Sequence, residues 1–332
     1  MIKKILGLIF ILSSAVAVDF YFFLNKQLGV DGEQYYNFPP GTSVSALARD
    51  LEKKNIITNR VYFSTWARVT GSARLLKAGE YQLNPDMTVL ELFGQMQKGK
   101  VRLYSLTLVE GITFKQMMQQ VNASPHLKHN LKGLNTQQIM QAIGYAGEHP
   151  EGRFFPDTYR FPKDMSDVDL LRQAYQQQKQ RLEESWESRD ANLPLNSAYE
   201  ALILASIVEK ESANVEERKQ IAGVFVNRLR KGMRLQTDPT VIYGMGDSYK
   251  GDIRFRDLRK DTPYNTYTRK GLPPTPIAMP GQGALDAVSH PDSTEYIYFV
   301  AMSDRSGRHI FSKTLKEHEH AVDVHQRKIK KK

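Results

Sequence analysis

The run ALILASIVEKE (201–211) ends in two glutamates whose spacing sends them in different directions. On a helix, Leu204, Ile207 and Val208 form an inward stripe. Glu211, four positions after Ile207 and three after Val208, continues that stripe. Glu209 lies two positions back, about 200° around the helix, and faces elsewhere. A carboxyl at the wet end of an apolar face loses hydration, which raises its pKa. An ordinary Glu is roughly 0.2% protonated at pH 7, whereas one raised to about 6 is roughly 10% protonated. An acid available near neutrality is what cleavage of a glycosidic bond demands. Helix geometry alone also fits a solvated Glu finishing a helix, so both readings stand at this point.

After a turn at residues 212–215, Ile221, Val224, Phe225 and Leu229 predict a second amphipathic helix ended by Gly232. Two dense segments follow, MRLQTDPTVIYGMG (233–246) and PYNTYTRKGLPPTPIAMPG (263–281). Amides, hydroxyls, aromatics and rigid Pro-Gly turns are the inventory of a cleft that hydrogen-bonds and stacks sugars. The same segments also fit long surface loops, although such loops without regular structure are uncommon unless functional.

The elements that must carry these residues begin with an apolar run. Residues 5–24 (ILGLIFILSSAVAVDFYFFL) hold one charge, Asp19, and span a bilayer core as a helix. Lys3 and Lys4, in the tip 1–4, keep the amino terminus cytoplasmic and the body exported. A cleaved signal peptide, with Ala15-Val16-Ala17 as processing site, is the competing reading and exports the body equally. Residues 25–38 read as a polar stalk turning into a first strand, with a turn at Pro39-Pro40-Gly41. Strand-like EYQL (80–83) and VRLYSLTLV (101–109) alternate with helical runs preceded by Thr42, Thr88 and Thr113, which suit helix caps. A long helix is expected over 168–186. In EGRFFPDTYRF (151–161) the aromatics either plug a core edge or form a sugar-stacking platform.

The 332 residues suit about two domains. The absence of cysteine excludes disulfide scaffolds, zinc ribbons and thiol nucleophiles. The net charge of +10 invites a nucleic-acid reading, but Arg327, Lys328, Lys330, Lys331 and Lys332, with Lys3 and Lys4, supply most of it and leave the body near +3. His318 and His320 diverge on a terminal helix, and neither Glu319 nor His325 completes a ligand set, so no metal and no cofactor is assigned. No nucleic-acid motif is present.

Ile207-Val208-Glu209-Lys210-Glu211-Ser212, VFVNRLRKGMRLQTDPTVIYG (224–244), Tyr264-Asn265-Thr266-Tyr267 and Gly271-Leu272-Pro273-Pro274 together resemble the motifs of the YceG-like endolytic murein transglycosylases (MltG). The likeness covers nearly the whole chain. One departure is Thr275, where the family often has Gly after the two prolines; it touches loop flexibility and no catalytic role. The resemblance implies an α+β protein with an amino-terminal transmembrane helix (5–24), a stalk and small LysM-like glycan-binding subdomain (25–110) and a larger mixed α+β catalytic domain (111–332). It implies an inner-membrane enzyme that cuts peptidoglycan strands internally without water as acceptor, beside peptidoglycan synthases and division proteins. The catalytic glutamate of the family falls on Glu211. Gln236 and Asp238 are then expected to orient sugar or Glu211, and Tyr264, Asn265 and Tyr267 to bind glycan. Glu209 is expected to be a helper or a structural ion pair. A non-catalytic, membrane-tethered wall-binding or division scaffold is the rival from another class, and a glycan hydrolase the nearer one.

Overall fold

A computed structural model describes residues 2–211, 214–304 and 306–327. Ser212 and the tail lysines Lys328, Lys330, Lys331 and Lys332 lie outside the described residues, as does the side chain of Arg327. The chain is α+β and divides into two compact units, the first built mainly from residues up to Ser105 and the second mainly from Leu106 onward.

In the first unit, α1 (Ile2–Leu24) is the one described helix long and apolar enough to cross a membrane, with a mean hydropathy of 2.1. Its last turn does something else: Phe23 and Leu24 are buried in the unit's core. Asp19, the one charged residue of 5–24, accepts a hydrogen bond from Tyr62 Oη at 2.8 Å. The expected stalk is corrected. Leu28 N–H donates to Met87 O at 2.8 Å and Gly29 N–H to Ile56 O at 3.0 Å, so this stretch is sewn onto the unit. Burial of Leu28 and Val30 is the reason, since apolar side chains gain from leaving water whatever their polar neighbours do.

Beyond it, β1 (Gln34–Phe38), α2 (Val44–Lys53), α3 (Arg60–Val69), β2 (Gly79–Leu83), α4 (Val89–Lys98) and β3 (Leu103–Thr107) follow in order. β1 and β2 pair antiparallel, with Tyr36 opposite Tyr81. Thr88 caps α4 in a reciprocal capping box with Glu91. The cap of α2 is Ser43 rather than Thr42.

β4 (Leu127–Lys128) and residues 160–165, which take in parts of β5 (Thr158–Pro162) and β6 (Met165–Ser166), return to the first unit, while the second unit runs through α5 (Phe114–Ala123), α6 (Thr136–Ile143), α7 (Asp167–Glu187), α8 (Ala198–Glu211) and α9 (Arg218–Arg230). It ends with α10 (Asp238–Met245), α11 (Phe255–Arg259), α12 (Gln282–Ser289), β7 (Tyr298–Ala301), β8 (His309–Ser312) and α13 (Leu315–Val322). Thr113 caps α5 in a box with Gln116. β7 and β8 form an antiparallel hairpin. The aromatics of 151–161 take the core option: Phe154, Phe155, Tyr159 and Phe161 are all buried.

α8 is the spine of this unit. Residues Ala201 to Glu209 are buried on every face, against α7, α9, α10 and α12, so the expected one-sided stripe is instead an all-round interior helix. Such a helix cannot rotate or slide without opening cavities, which would cost about 2–5 kcal/mol per large side chain. Whatever its last residue carries is therefore held in place.

Candidate active site

Glu211 closes α8 and stands half-buried in the wall of a cavity of about 520 Å³, together with Gln236, Asp238, Tyr267, Tyr298 and His309. Burial pushes its carboxyl pKa up, and Asp238 adds to the rise. Thr237 Oγ1 donates to Glu211 Oε1 and pulls the other way, helped by the charges of His309 and Arg228.

Thr237 is clamped by its neighbours. Its N–H donates to Thr266 Oγ1 at 3.1 Å, and its carbonyl accepts from Thr240 Oγ1 at 2.8 Å. The hydroxyls of Thr240 and Thr266 share a hydrogen bond of 2.9 Å. Just before it, Gln236 holds φ at +51°, a left-handed conformation that is costly for a residue with a side chain. Arg228 fixes the approach to this turn by donating to Leu235 O and, through Nε at 2.6 Å, to Ile297 O. The strained turn is thus tied to α9 and the β7 approach, and it delivers Gln236 to the cavity wall and the buried Thr237 to the Glu211 carboxyl.

The two glutamates go where the helical angle sends them, and burial raises the carboxyl pKa of both. Glu209 is 9% exposed. Its Oε1 accepts from Arg218 Nη2 at 2.8 Å and its Oε2 from Gly281 N–H at 3.0 Å. Arg218 also lies 3.6 Å from Glu110. Glu209 is an ion-pair node behind α8, outside the lining of the Glu211 cavity.

The remaining sequence-derived residues divide. Asp238, the first residue of α10, accepts from Tyr267 Oη at 2.6 Å, so these two share the cavity as a bonded pair. The segment 233–246 is therefore no plain loop, because Pro239 in the first turn of α10 suits helix initiation. Asn265 does not face the cavity. It is 1% exposed, its Nδ2 donates to the carbonyls of Asp257, Leu258 and Lys260, and its Oδ1 accepts from Tyr267 N–H at 2.9 Å. Such a buried amide is spent on the backbone it shapes. Tyr264 lines a second cavity and shares a hydrogen bond of 2.9 Å with Thr275 Oγ1, which gives the residue at the family's usual Gly position a structural job.

Sequence reasoning missed Thr237, Tyr298, His309 and Glu151. His309 comes from β8, and its Nδ1 lies 2.8 Å from Glu217 Oε2. The alternation in residues 296–302 and the turn residues that follow were the only signal for that hairpin. Glu151 sits on the floor of the second cavity, 4% exposed, with Oε1 accepting from Phe114 N–H at 2.9 Å and Oε2 from Tyr243 Oη at 3.0 Å. Burial pushes its pKa up to about 7.

A raised carboxyl pKa stabilises the fold only while the group is protonated. The contribution is complete below the unfolded value near 4.5 and is lost as pH climbs through about 7. We expect wild-type stability to fall by on the order of 3 kcal/mol across that window from this group. Glu151→Gln should flatten that slope, as read from Tm against pH; an unchanged slope would contradict the burial argument.

A profile of the YceG-like family matches residues 36–324. The endolytic murein transglycosylase of Bacillus subtilis (strain 168) is 33% identical over 304 residues, 86% of this chain and 83% of that protein. The protein of the same name from Streptococcus pneumoniae (strain D39) is 28% identical, over 95% of this chain but 63% of its own greater length. A crystal structure from Listeria monocytogenes, titled a putative yceG-like protein, superposes with a TM-score of 0.56 at 32% identity, over 88% of this chain and 99% of that one. With most of its length matched in both sequence and structure, this chain belongs to the YceG-like family.

Proposed function

We propose that this protein is an endolytic lytic transglycosylase that cuts peptidoglycan between N-acetylmuramic acid and N-acetylglucosamine, with Glu211 as its catalytic acid and base. The carrying observation is the placement of that carboxyl: fixed by a buried helix, desolvated, and facing a cavity whose wall holds Gln236, Asp238, Tyr267, Tyr298 and His309. Protonated Glu211 gives its proton to the bridging oxygen as the C1–O bond breaks, leaving an oxocarbenium-like centre. The resulting carboxylate takes the proton of the C6 hydroxyl on the same sugar, whose oxygen bonds to C1 and closes a 1,6-anhydro ring. Proton and charge return to their starting places. The acceptor is already tethered, so no acceptor has to be recruited from solution. Asp238, bonded to Tyr267, serves as an orienting carboxylate in this scheme.

The family membership and the relatives' names support the activity. The order β1–α2–α3–β2, with both helices between paired strands, supports reading the first unit as a LysM-like glycan-binding module. α1 and the lysines in its first turn support a single-pass anchor in the cytoplasmic membrane with the body on the far side. Synthases and division proteins as neighbours rest on the family resemblance.

The test is digestion of purified glycan strands by the full-length protein in detergent, followed by mass spectrometry. An anhydro end is one water lighter than a hydrolysed end. Hydrolysed ends would replace this reading by a hydrolase, and uncut strands by the scaffold.

Thr237 tunes the pH dependence of Glu211. Its hydrogen bond favours the charged form of Glu211 and so holds the raised pKa down. In Thr237→Val the pKa rises further, the acid stays protonated to higher pH, and the alkaline limb of the rate profile moves upward; Thr237→Ser restores it. An unmoved limb would remove Thr237 from the mechanism.

A further inference from the structure

The second cavity has a volume of about 700 Å³ and the character of a sugar site. The rings of Tyr243 and Tyr264 meet edge to face at 4.9 Å in its wall, beside Ile242. The carboxyl of Glu151 lies at its floor, and Gln116 and Gln119 reach it from α5. Apolar surface for a ring face, with amide and carboxyl groups placed for hydroxyls and N-acetyl groups, is the general composition of a carbohydrate pocket.

What connects it to Glu211 is α10. Asp238, Ile242 and Gly246 fall four apart on one ridge of that helix and the residue that ends it. Thr240 and Val241 of the same helix are buried, and an added Cβ on Gly244 would come 3.0 Å from Cβ of Tyr264 in the wall of the second cavity. Asp238 and Gly246 are exposed and Ile242 is half-buried, so this ridge is open between one cavity and the other. Asp238 lines the Glu211 cavity, while Ile242 and Gly246 line the second. At 1.5 Å per residue, the step from Asp238 to Ile242 is about 6 Å. That is shorter than a disaccharide, so a strand lying along the ridge reaches both.

We propose that the second cavity is a distal subsite for the same glycan, holding N-acetylated sugars of the strand while Glu211 acts on a bond one or more sugars away. The proposal rests on the reading of Glu211 as a glycan-cutting acid and adds to it a direction for the strand. It explains how a site can prefer the interior of a chain: a strand end that reaches only the first cavity forfeits the contacts of the second.

The test compares full-length protein in detergent on glycan strands of graded length, read as kcat/KM on long strands divided by kcat/KM on short ones. We expect a ratio well above one for the unmutated protein. Gln119→Trp, made at an exposed rim position so that the core is untouched, fills the cavity and lowers the ratio about tenfold, the loss of roughly one good contact. Lys115→Trp, also exposed on the rim, lowers the same ratio and guards against a local effect of one substitution. A protein that cuts with a ratio near one, or variants that both keep the wild-type ratio, would overturn the subsite and leave Glu211 standing. A protein that cuts no strand of any length overturns the Glu211 reading and the subsite with it.

Discussion

Glu211→Gln should leave a folded protein that cuts glycan at about one ten-thousandth of the wild-type rate, the upper end of what a positioned acid–base group contributes. The upper end is expected because one carboxyl serves both halves of the reaction, so the variant loses proton delivery and proton recovery together. Binding should survive, since the amide has the shape of the acid and its oxygen can still accept from Thr237 Oγ1. Stability moves in the opposite direction to activity. Burial raises the folded pKa of Glu211, so its charged form opposes folding as pH rises through that pKa. The neutral amide escapes that penalty, and the variant should equal or exceed the wild type in Tm at alkaline pH. Product formation on purified strands and a Tm series against pH make the two measurements. A Gln variant cutting at the wild-type rate would remove Glu211 from the chemistry.

Arg218→Ala should destabilise the second unit by about 3–5 kcal/mol, because it strands a carboxylate that the fold has already dehydrated. Glu209 keeps Gly281 N–H at 3.0 Å but loses the guanidinium at 2.8 Å, and at 9% exposure it has little water to turn to. Burial already pushes the Glu209 pKa up, and removing Arg218 pushes it further. The destabilisation therefore grows with pH, since the unfolded chain ionises Glu209 freely and the folded one does not. For a unit of this size the loss corresponds to a fall in Tm on the order of 10 °C. The paired change Glu209→Gln with Arg218→Met should recover most of it, because the orphaned charge and its partner leave together. An Arg218→Ala protein with an unchanged Tm would show that the pair carries no net stability. Activity helps to separate roles: in the recovered double variant cutting should persist, which a catalytic Glu209 would not allow.

Local periodicity determined a good deal here. The apolar run that becomes α1, the helices α8 and α9, and the angular separation of Glu209 from Glu211 all follow from the 3.6-residue turn, which depends only on neighbours a few positions apart. The capping threonines at 88 and 113 were legible for the same reason. Even so, the stripe logic assumed one dry face, where residues Ala201 to Glu209 of α8 are buried all round.

Tertiary structure alone decided which groups close the cleft. Thr237 meets Glu211 across 26 residues of sequence, and Glu151 meets Tyr243 across 92, as does Glu217 with His309. Asn265, which by type suited a sugar ligand, was taken by three backbone carbonyls that only the folded loop presents. Desolvation, too, belongs to the packed state: a sequence names the carboxyl groups, but the helices and hairpins that exclude water from one of them, and so set its proton affinity, come from chain segments that local pattern cannot bring together.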